Sequence, residues 1–404
     1  MRVGSLIKYY RLKRGMKQIE LARGICSISH LSKIENNSYN GNEETINLLI
    51  KKLGISLEEK NNHHERFIEV LENFFLANLH CNDKLIEQIY KEFLSYENYA
   101  NLTTLINTYH LYHYKYYIYK KDMEKISSME SFLLKFKNSF SASEKNLYKI
   151  LTGNALLLKN NPFKAKNTLL SLMSNLKTDV NVVNSELYYL IGLSYSHLRE
   201  YEKAIFYSKK ALDFFQRENN FIRILHTQIV LSINYVRIGL LEEAKSNYQS
   251  VIQNAQLLNQ HDLYNQTIFN LGLLYKKKKE YRKALELFIE SEQKFDTNSI
   301  PYIICKLGII ELLFHFEADE EEIIKHIDTA LAVSEKNNQQ KYYLQAKSYK
   351  KKLFSQVEFY SFIENILYPY YKKNNFSKEA QDLAKELIDY YSSNGNNFKK
   401  ASYY

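Results

Sequence analysis

Metal or nucleophilic chemistry in this chain would have to be built from eleven histidines and three cysteines. His110 and His113 stand three apart, so a helix would place them on one face. A metal site there needs a third ligand, and a zinc hydrolase needs a glutamate between the histidines. The sequence supplies neither. His63–His64 and His80–Cys81 are equally unsupported pairs. Cys26, Cys81 and Cys305 lie too far apart in sequence for a disulfide framework or a metal pattern, and they suit a reducing cytosol. No glycine-rich phosphate loop, nucleophile elbow or paired-cysteine motif is present. The sequence therefore predicts no enzyme, no metal and no cofactor. The tyrosine-rich stretch from Tyr109 to Tyr119 reads as helix packing rather than a base-stacking platform, because no loop interrupts it.

The chemistry that remains is ionic. The net charge is +10, and it is concentrated at one end. Residues 1–60 carry 11 Lys/Arg against 6 Asp/Glu, while residues 61–404 carry 44 against 39. Half the excess thus sits in a short N-terminal segment, which points to an anionic partner there, nucleic acid first. The first fifteen residues lack an apolar signal-peptide core, and no uncharged run is long enough to span a bilayer. A cytoplasmic protein without a membrane partner is expected.

The basic segment has the pattern of four short helices. Val3, Leu6, Ile7 and Tyr10 recur at helical spacing over 3–14, and Gly15 ends that helix. A second helix is expected over 17–23, then a turn at Gly24. Ser27 is placed to cap a third helix over 28–36. A fourth is expected over 43–53, closed by Gly54. The segment from Ile7 to Glu35 resembles the XRE/Cro-repressor helix-turn-helix family through Ile7–Lys8, Arg11, Gly15, Gln18, Leu21–Ala22, Ser32, Ile34 and Glu35. The resemblance implies a structural pairing of Arg11 with Glu35 and a phosphate contact for Gln18. It implies base-edge contacts for Ser27, Ile28, Ser29 and Lys33, with His30 turned to backbone or solvent, and phosphate contacts for Asn36, Asn37 and Tyr39.

The rest of the chain has few helix breakers: the whole protein holds only 11 Gly and 3 Pro. Aligning Gly153, Gly192, Ser232, Gly272 and Gly308 gives intervals of 39, 40, 40 and 36 residues. Twelve residues after the first four anchors stand Ala165, Ala204, Ala244 and Ala284. Sixteen after stand Leu169, Ser208, Tyr248 and Phe288, and three after the middle anchors stand Tyr195, Tyr235 and Tyr275. Small anchors let the two helices of a hairpin approach, and the larger residues fill the space between hairpins. The pattern is similar to the tetratricopeptide repeat. The fold class expected is all-α: an N-terminal helix-turn-helix followed by a right-handed tetratricopeptide-like superhelix. The expected divisions are 1–60 for DNA binding, 61–75 as a linking helix, 76–392 as repeats for peptide binding and oligomerisation, and 393–404 as a disordered tail.

In tetratricopeptide arrays the first helix of each hairpin lines the concave groove. That resemblance selects Asn154, Glu186, Tyr189, His197, His226, Arg237, Gln266, Asn270, Lys276, Lys277 and Lys306, with Gln228 and Asn234 on the edge. Lys276 and Lys277 also belong to a lysine run at a hairpin turn, where solvation explains most of the charge. Amides can satisfy both the N–H and the C=O of an extended peptide. His226, Arg237 and Lys306 bias the groove towards anionic groups.

The two parts together resemble the RRNPP family (Rap, Rgg, NprR, PlcR, PrgX), and the length suits the NprR branch. The resemblance implies a homodimeric or higher homo-oligomeric quorum-sensing regulator of transcription. A short signalling peptide would occupy its groove, and palindromic double-stranded DNA would be its target. Three other readings stay open: a Rap-like protein that also binds a sporulation response regulator, a phage lysis–lysogeny peptide receptor, and a constitutive protein scaffold.

Overall fold

The computed structural model describes residues 3–36, 38, 41–55, 57–173, 181–374 and 376–395. Asn37, Tyr39 and residues 396–404 of the expected tail lie outside the described residues. Every regular element among the described residues is helical, and the chain divides into two compact units, 1–238 and 239–404.

The first unit opens with α1 (Val3–Lys13), α2 (Gln18–Ala22), α3 (Ile28–Glu35) and α4 (Glu43–Lys52). Their core is Ile7, Leu21, Ala22, Leu31, Ile34, Leu49, Ile50, Leu53 and Ile55. Gly15 and Gly24 adopt φ of +67° and +78°, the left-handed conformation that lets such short helices turn without strain. Ser27 Oγ accepts from the His30 backbone N–H at the start of α3, and Asn42 Oδ1 accepts from that of Thr45 at the start of α4.

Next come α5 (Leu57–Leu79), α6 (Asp83–Ser95), α7 (Glu97–Ala100), α8 (Ile106–Lys120) and α9 (Met123–Phe136). The segment 61–75, expected to be a separate linking helix, is the middle of α5. Helix α8 begins only at Ile106, after the short α7 has ended at Ala100. Thr103 Oγ1 donates to the Ala100 carbonyl and accepts from the Leu105 N–H, a local pairing that competes with helix. Helix α1 has two packed faces. Ile7 belongs to the helix-turn-helix core, whereas Leu6 joins Phe67, Val70, Phe74 and Tyr99 of α5 and α7. The Tyr9 ring stacks on His63 at 5.5 Å and meets Tyr99 edge-on at 5.3 Å.

The unit closes with α10 (Ala142–Leu158), α11 (Pro162–Met173), α12 (Asn181–His197), α13 (Tyr201–Arg217) and α14 (Phe221–Ile238). The second unit contains α15 (Leu241–Leu257), α16 (His261–Lys277), α17 (Tyr281–Glu292), α18 (Ile300–His315), α19 (Glu320–Lys336), α20 (Gln340–Phe354), α21 (Gln356–Phe362), α22 (Tyr368–Lys373) and α23 (Ser377–Ser393). Ser377 is the first residue of α23, and Phe376 holds the cap position. Pro369 does not end its helix. A π turn over Ile363–Leu367 absorbs the ring clash and missing donor, and the chain stays helical through α22.

The repeat anchors are close-approach points. A β-carbon on Gly153 would stand 2.5 Å from Leu169 Cδ2, and one on Gly272 would stand 2.6 Å from Phe288 Cε1. In each case the obstructing residue is the one sixteen positions on. Leu169 and Phe288 are fully buried, each burial contributing roughly 1.5–3 kcal/mol. A second regularity lies seven residues after the anchors. Asn160, Arg199, Gly239 and Lys279 all have positive φ and end the first helix of a hairpin. Only one of the four is glycine.

Candidate functional sites

The polar centre of the helix-turn-helix is a closed network. Arg11 is 6% exposed and Glu35 is 2% exposed. Arg11 Nε donates to Glu35 Oε1 at 2.6 Å and Nη2 donates to Oε2 at 3.0 Å, a bidentate pair. Arg11 Nη1 donates to the Met16 carbonyl at 2.8 Å. Gln18 Nε2 donates to Glu35 Oε2, also at 2.8 Å. The start of α2 and the end of α3 are thereby fixed to α1. One amide hydrogen of Gln18 is used in this network, leaving the second and its carbonyl oxygen for a phosphate contact.

The N-terminal part of α3 faces outward. Ser27, Ile28, Ser29 and Lys33 are exposed, as is Asn36 at the C-cap, and His30 is half-buried. Ile28 is an apolar side chain left 46% exposed, on the same short helix as two serines and a lysine. Lys13, Arg14, Lys17, Arg23, Lys51 and Lys52 of α1–α4 and their turns are exposed as well. The surface can therefore donate to bases and phosphates and offer one apolar contact.

The groove candidates of the first unit divide by burial. Asn154, Glu186, His226 and Gln228 are half-buried, Tyr189 and Asn234 are buried, and His197 and Arg237 are exposed. Glu186 Oε1 accepts from Arg223 Nη2 at 2.9 Å, and the Arg223 guanidinium lies 5.3 Å from the Tyr189 ring centre. Burial, with Arg223 nearby, pushes His226 down to about 3. Asn234 Nδ2 donates to the Val230 carbonyl at 2.7 Å. Three buried atoms on α14 have no hydrogen-bond partner among the described residues: His226 Nδ1, Gln228 Oε1 and Asn234 Oδ1.

In the second unit, Gln266 is exposed and Asn270 is half-buried, with Asn270 Nδ2 buried and unpartnered. Lys276 pairs with Glu311 at 2.5 Å. Lys306 is buried and already engaged. Its Nζ lies 2.5 Å from Glu292 Oε1 and 3.0 Å from His326 Nδ1, and it lines a cavity of about 470 Å³ with Ile289, Phe295, Tyr302 and Lys325. Helical position alone did not indicate this, because the two partners come from α17 and α19.

Arg223 and Lys115 escaped the sequence reading. Arg223 lies nine residues before its anchor, outside the positions used, and Lys115 precedes the recognisable repeats. Among the described residues no three His, Cys, Asp or Glu side chains gather as a metal site, and no helix is long and apolar enough to cross a membrane.

Comparison with known proteins places this geometry. Residues 7–60 match the helix-turn-helix family model, and residues 185–215, nearly the α12–α13 hairpin, match the tetratricopeptide repeat. The chain is 23% identical over 381 residues to the transcriptional activator NprA of Geobacillus stearothermophilus, covering 92% of this chain and 94% of that one. Its fold is similar to the apo form of the quorum sensor NprR from B. thuringiensis, with a TM-score of 0.69 at 24% identity over 85% of this chain and 98% of that one. It is also similar to NprR in complex with its cognate peptide NprX, with a TM-score of 0.59 at 24% identity over 79% and 98%. A helix-turn-helix ahead of tetratricopeptide hairpins, with a likeness to the transcriptional activator NprA along nearly its whole length, makes the chain similar in architecture to the RRNPP family of quorum-sensing regulators.

Proposed function

We propose that this protein is a cytoplasmic, homodimeric transcription regulator whose DNA binding is set by a short peptide held along the first helices of its repeat hairpins. The observation that carries the peptide reading is the set of unpartnered buried polar atoms at groove positions of α14: His226, Gln228 and Asn234. A buried donor or acceptor without a partner costs about 1–3 kcal/mol. An extended peptide backbone brings both missing kinds of partner. The exposed serines, Ile28 and Lys33 of α3, beside the basic surface, support DNA recognition.

A gel shift of the full chain on its own upstream DNA, at moderate salt, tests both halves. Binding to a palindrome-containing fragment, changed by a synthetic peptide copied from a short neighbouring reading frame, is the expected result. Absence of binding to any such fragment refutes the DNA reading. Binding that no peptide alters, with unchanged oligomer mass, favours a constitutive scaffold.

A further inference from the structure

The second unit holds a polar cluster that neither the groove nor the helix-turn-helix uses. Lys306 of α18 reaches Glu292 of α17 at 2.5 Å and His326 of α19 at 3.0 Å. Helices α17 and α19 are the second helices of successive hairpins, so these bonds turn Lys306 away from the face that the first helices present. The cavity of about 470 Å³ beside Lys306 takes its walls from α17, the 293–299 turn, α18 and α19. Among the described residues, none of α16 or α20 lines it. It lies on the second-helix side of the hairpins, apart from the groove positions. Its volume falls within the roughly 300–1,000 Å³ of small-molecule sites.

The floor of the cavity is already paired. The Lys306 and Glu292 side chains keep only 10% and 14% of their surface. Lys306 Nζ donates to His326 Nδ1, which leaves the Nε2–H of that ring as a donor. Burial, with the Lys306 charge beside it, holds His326 below its ordinary value, so the ring is neutral at pH 7. The walls are apolar: Ile289, Phe295 and the Tyr302 ring, with Ile289 left 40% exposed. The rim carries Glu322 and Lys325, both exposed and three residues apart on α19. Neither forms an ion pair among the described residues, although that spacing would let them pair with each other. The floor contributes no net charge, and the two free rim charges are opposite. A ligand with one charge would match only one of them, whereas a ligand with one charge of each sign engages both.

We propose that this cavity is a separate ligand site that takes a free amino acid with a large apolar side chain. The carboxylate of the amino acid meets Lys325 and the His326 Nε2–H, and its ammonium meets Glu322. Its side chain lies along Ile289, Phe295 and Tyr302. The site goes beyond the peptide reading and does not depend on it.

The test is calorimetric titration of the full chain. The probes are L-phenylalanine and L-leucine, hydrocinnamate, which lacks the ammonium, phenylalaninamide, which lacks the carboxylate, and glycine, which lacks the side chain. Saturable binding of phenylalanine and leucine is expected, with each of the other three at least about tenfold weaker. Glu322→Gln should erase the preference for phenylalanine over hydrocinnamate and keep that over the amide. Lys325→Gln should do the reverse. Both residues are exposed, where substitutions cost little stability, and misfolding cannot produce this crossed pattern. No saturable binding of either amino acid overturns the site. So does binding without the two charge preferences, or a preference that survives the variant meant to remove it.

Discussion

The helix-turn-helix and the repeat hairpins both bury polar side chains, and they treat them in opposite ways. In the first, Arg11, Glu35 and Gln18 meet one another and the Met16 carbonyl in a closed set of bonds. In the second, His226, Gln228, Asn234 and Asn270 each keep a buried atom without a partner. A closed network fixes geometry, with Gln18 alone keeping polar atoms to spare. An open one costs stability until something fills it. The contrast assigns rigidity to the element that presents α3 and adaptability to the hairpins.

The sharpest way to break the comparison is to open the closed network. Glu35→Ala leaves Arg11 buried and unpaired, an expected loss of about 3–5 kcal/mol. The loss should appear as faster amide exchange across α1–α4, with α16–α19 unaffected, and DNA binding should fall with it. Unchanged protection in α1–α4 would mean that the pair does not organise that core. Gln18→Leu removes one bond to the same carboxylate and should cost about 1.5–3 kcal/mol in the same helices.

Packing at the anchors predicts a comparable effect in the hairpins. Gly272→Val forces a branched side chain against Phe288, whose ring already lies 2.6 Å from where the β-carbon must go. A loss of about 1–3 kcal/mol is expected, seen as earlier opening of α16 and α17 in denaturant-dependent hydrogen exchange. If Phe288 turns aside at no cost, the small anchor is not what lets the helices approach.

The open network predicts the reverse sign. Asn234 is wholly buried, and its amide donates to Val230 while its oxygen has no partner. Asn234→Leu should therefore leave the free protein unchanged or more stable by about 1 kcal/mol, while weakening peptide binding. Melting curves with and without peptide separate the two effects. A clear destabilisation of the free protein would show that Asn234 belongs to the scaffold, as Gln18 does.

Much of this was legible in the sequence, for physical reasons that differ by region. Short helices need sharp turns, so Gly15 and Gly24 marked their ends. Close-packed hairpins need small contact points, so Gly153, Gly192, Ser232 and Gly272 stood out at a steady period. The turns seven residues after the anchors were less visible, because Asn160, Arg199 and Lys279 adopt positive φ without being glycine. Side-chain partnership was least visible. Lys306 looked like a groove residue by helical position, and only the neighbouring hairpin helices supply Glu292 and His326 to engage it. Gln18 likewise had a role by resemblance, and its bond to Glu35 depends on how α2 meets α3.

The smallest effect distinguishes a satisfied histidine from an open one. His113 is buried against Tyr90, whose hydroxyl lies 3.0 Å from Nδ1, and burial pushes it down to about 4. His226 is pushed by burial to about 3, with Nδ1 unpartnered. Both are neutral when folded and take up a proton near 6.5 when unfolded. The unfolded chain thus binds more protons as pH drops below about 6.5, so stability is complete above that value and declines towards pH 3–4. His226→Gln should flatten part of that acid limb, by less than the roughly 1.4 kcal/mol per pH unit that one proton allows, since the side chain keeps some solvent contact. What remains of the limb includes His113. Bound peptide should alter only the His226 share, because His226 stands at a groove position of α14 and His113 is packed between Tyr90, Phe93 and Tyr109. A peptide that shifts the acid limb of the His226→Gln variant as much as that of the wild type would place the ligand away from α14.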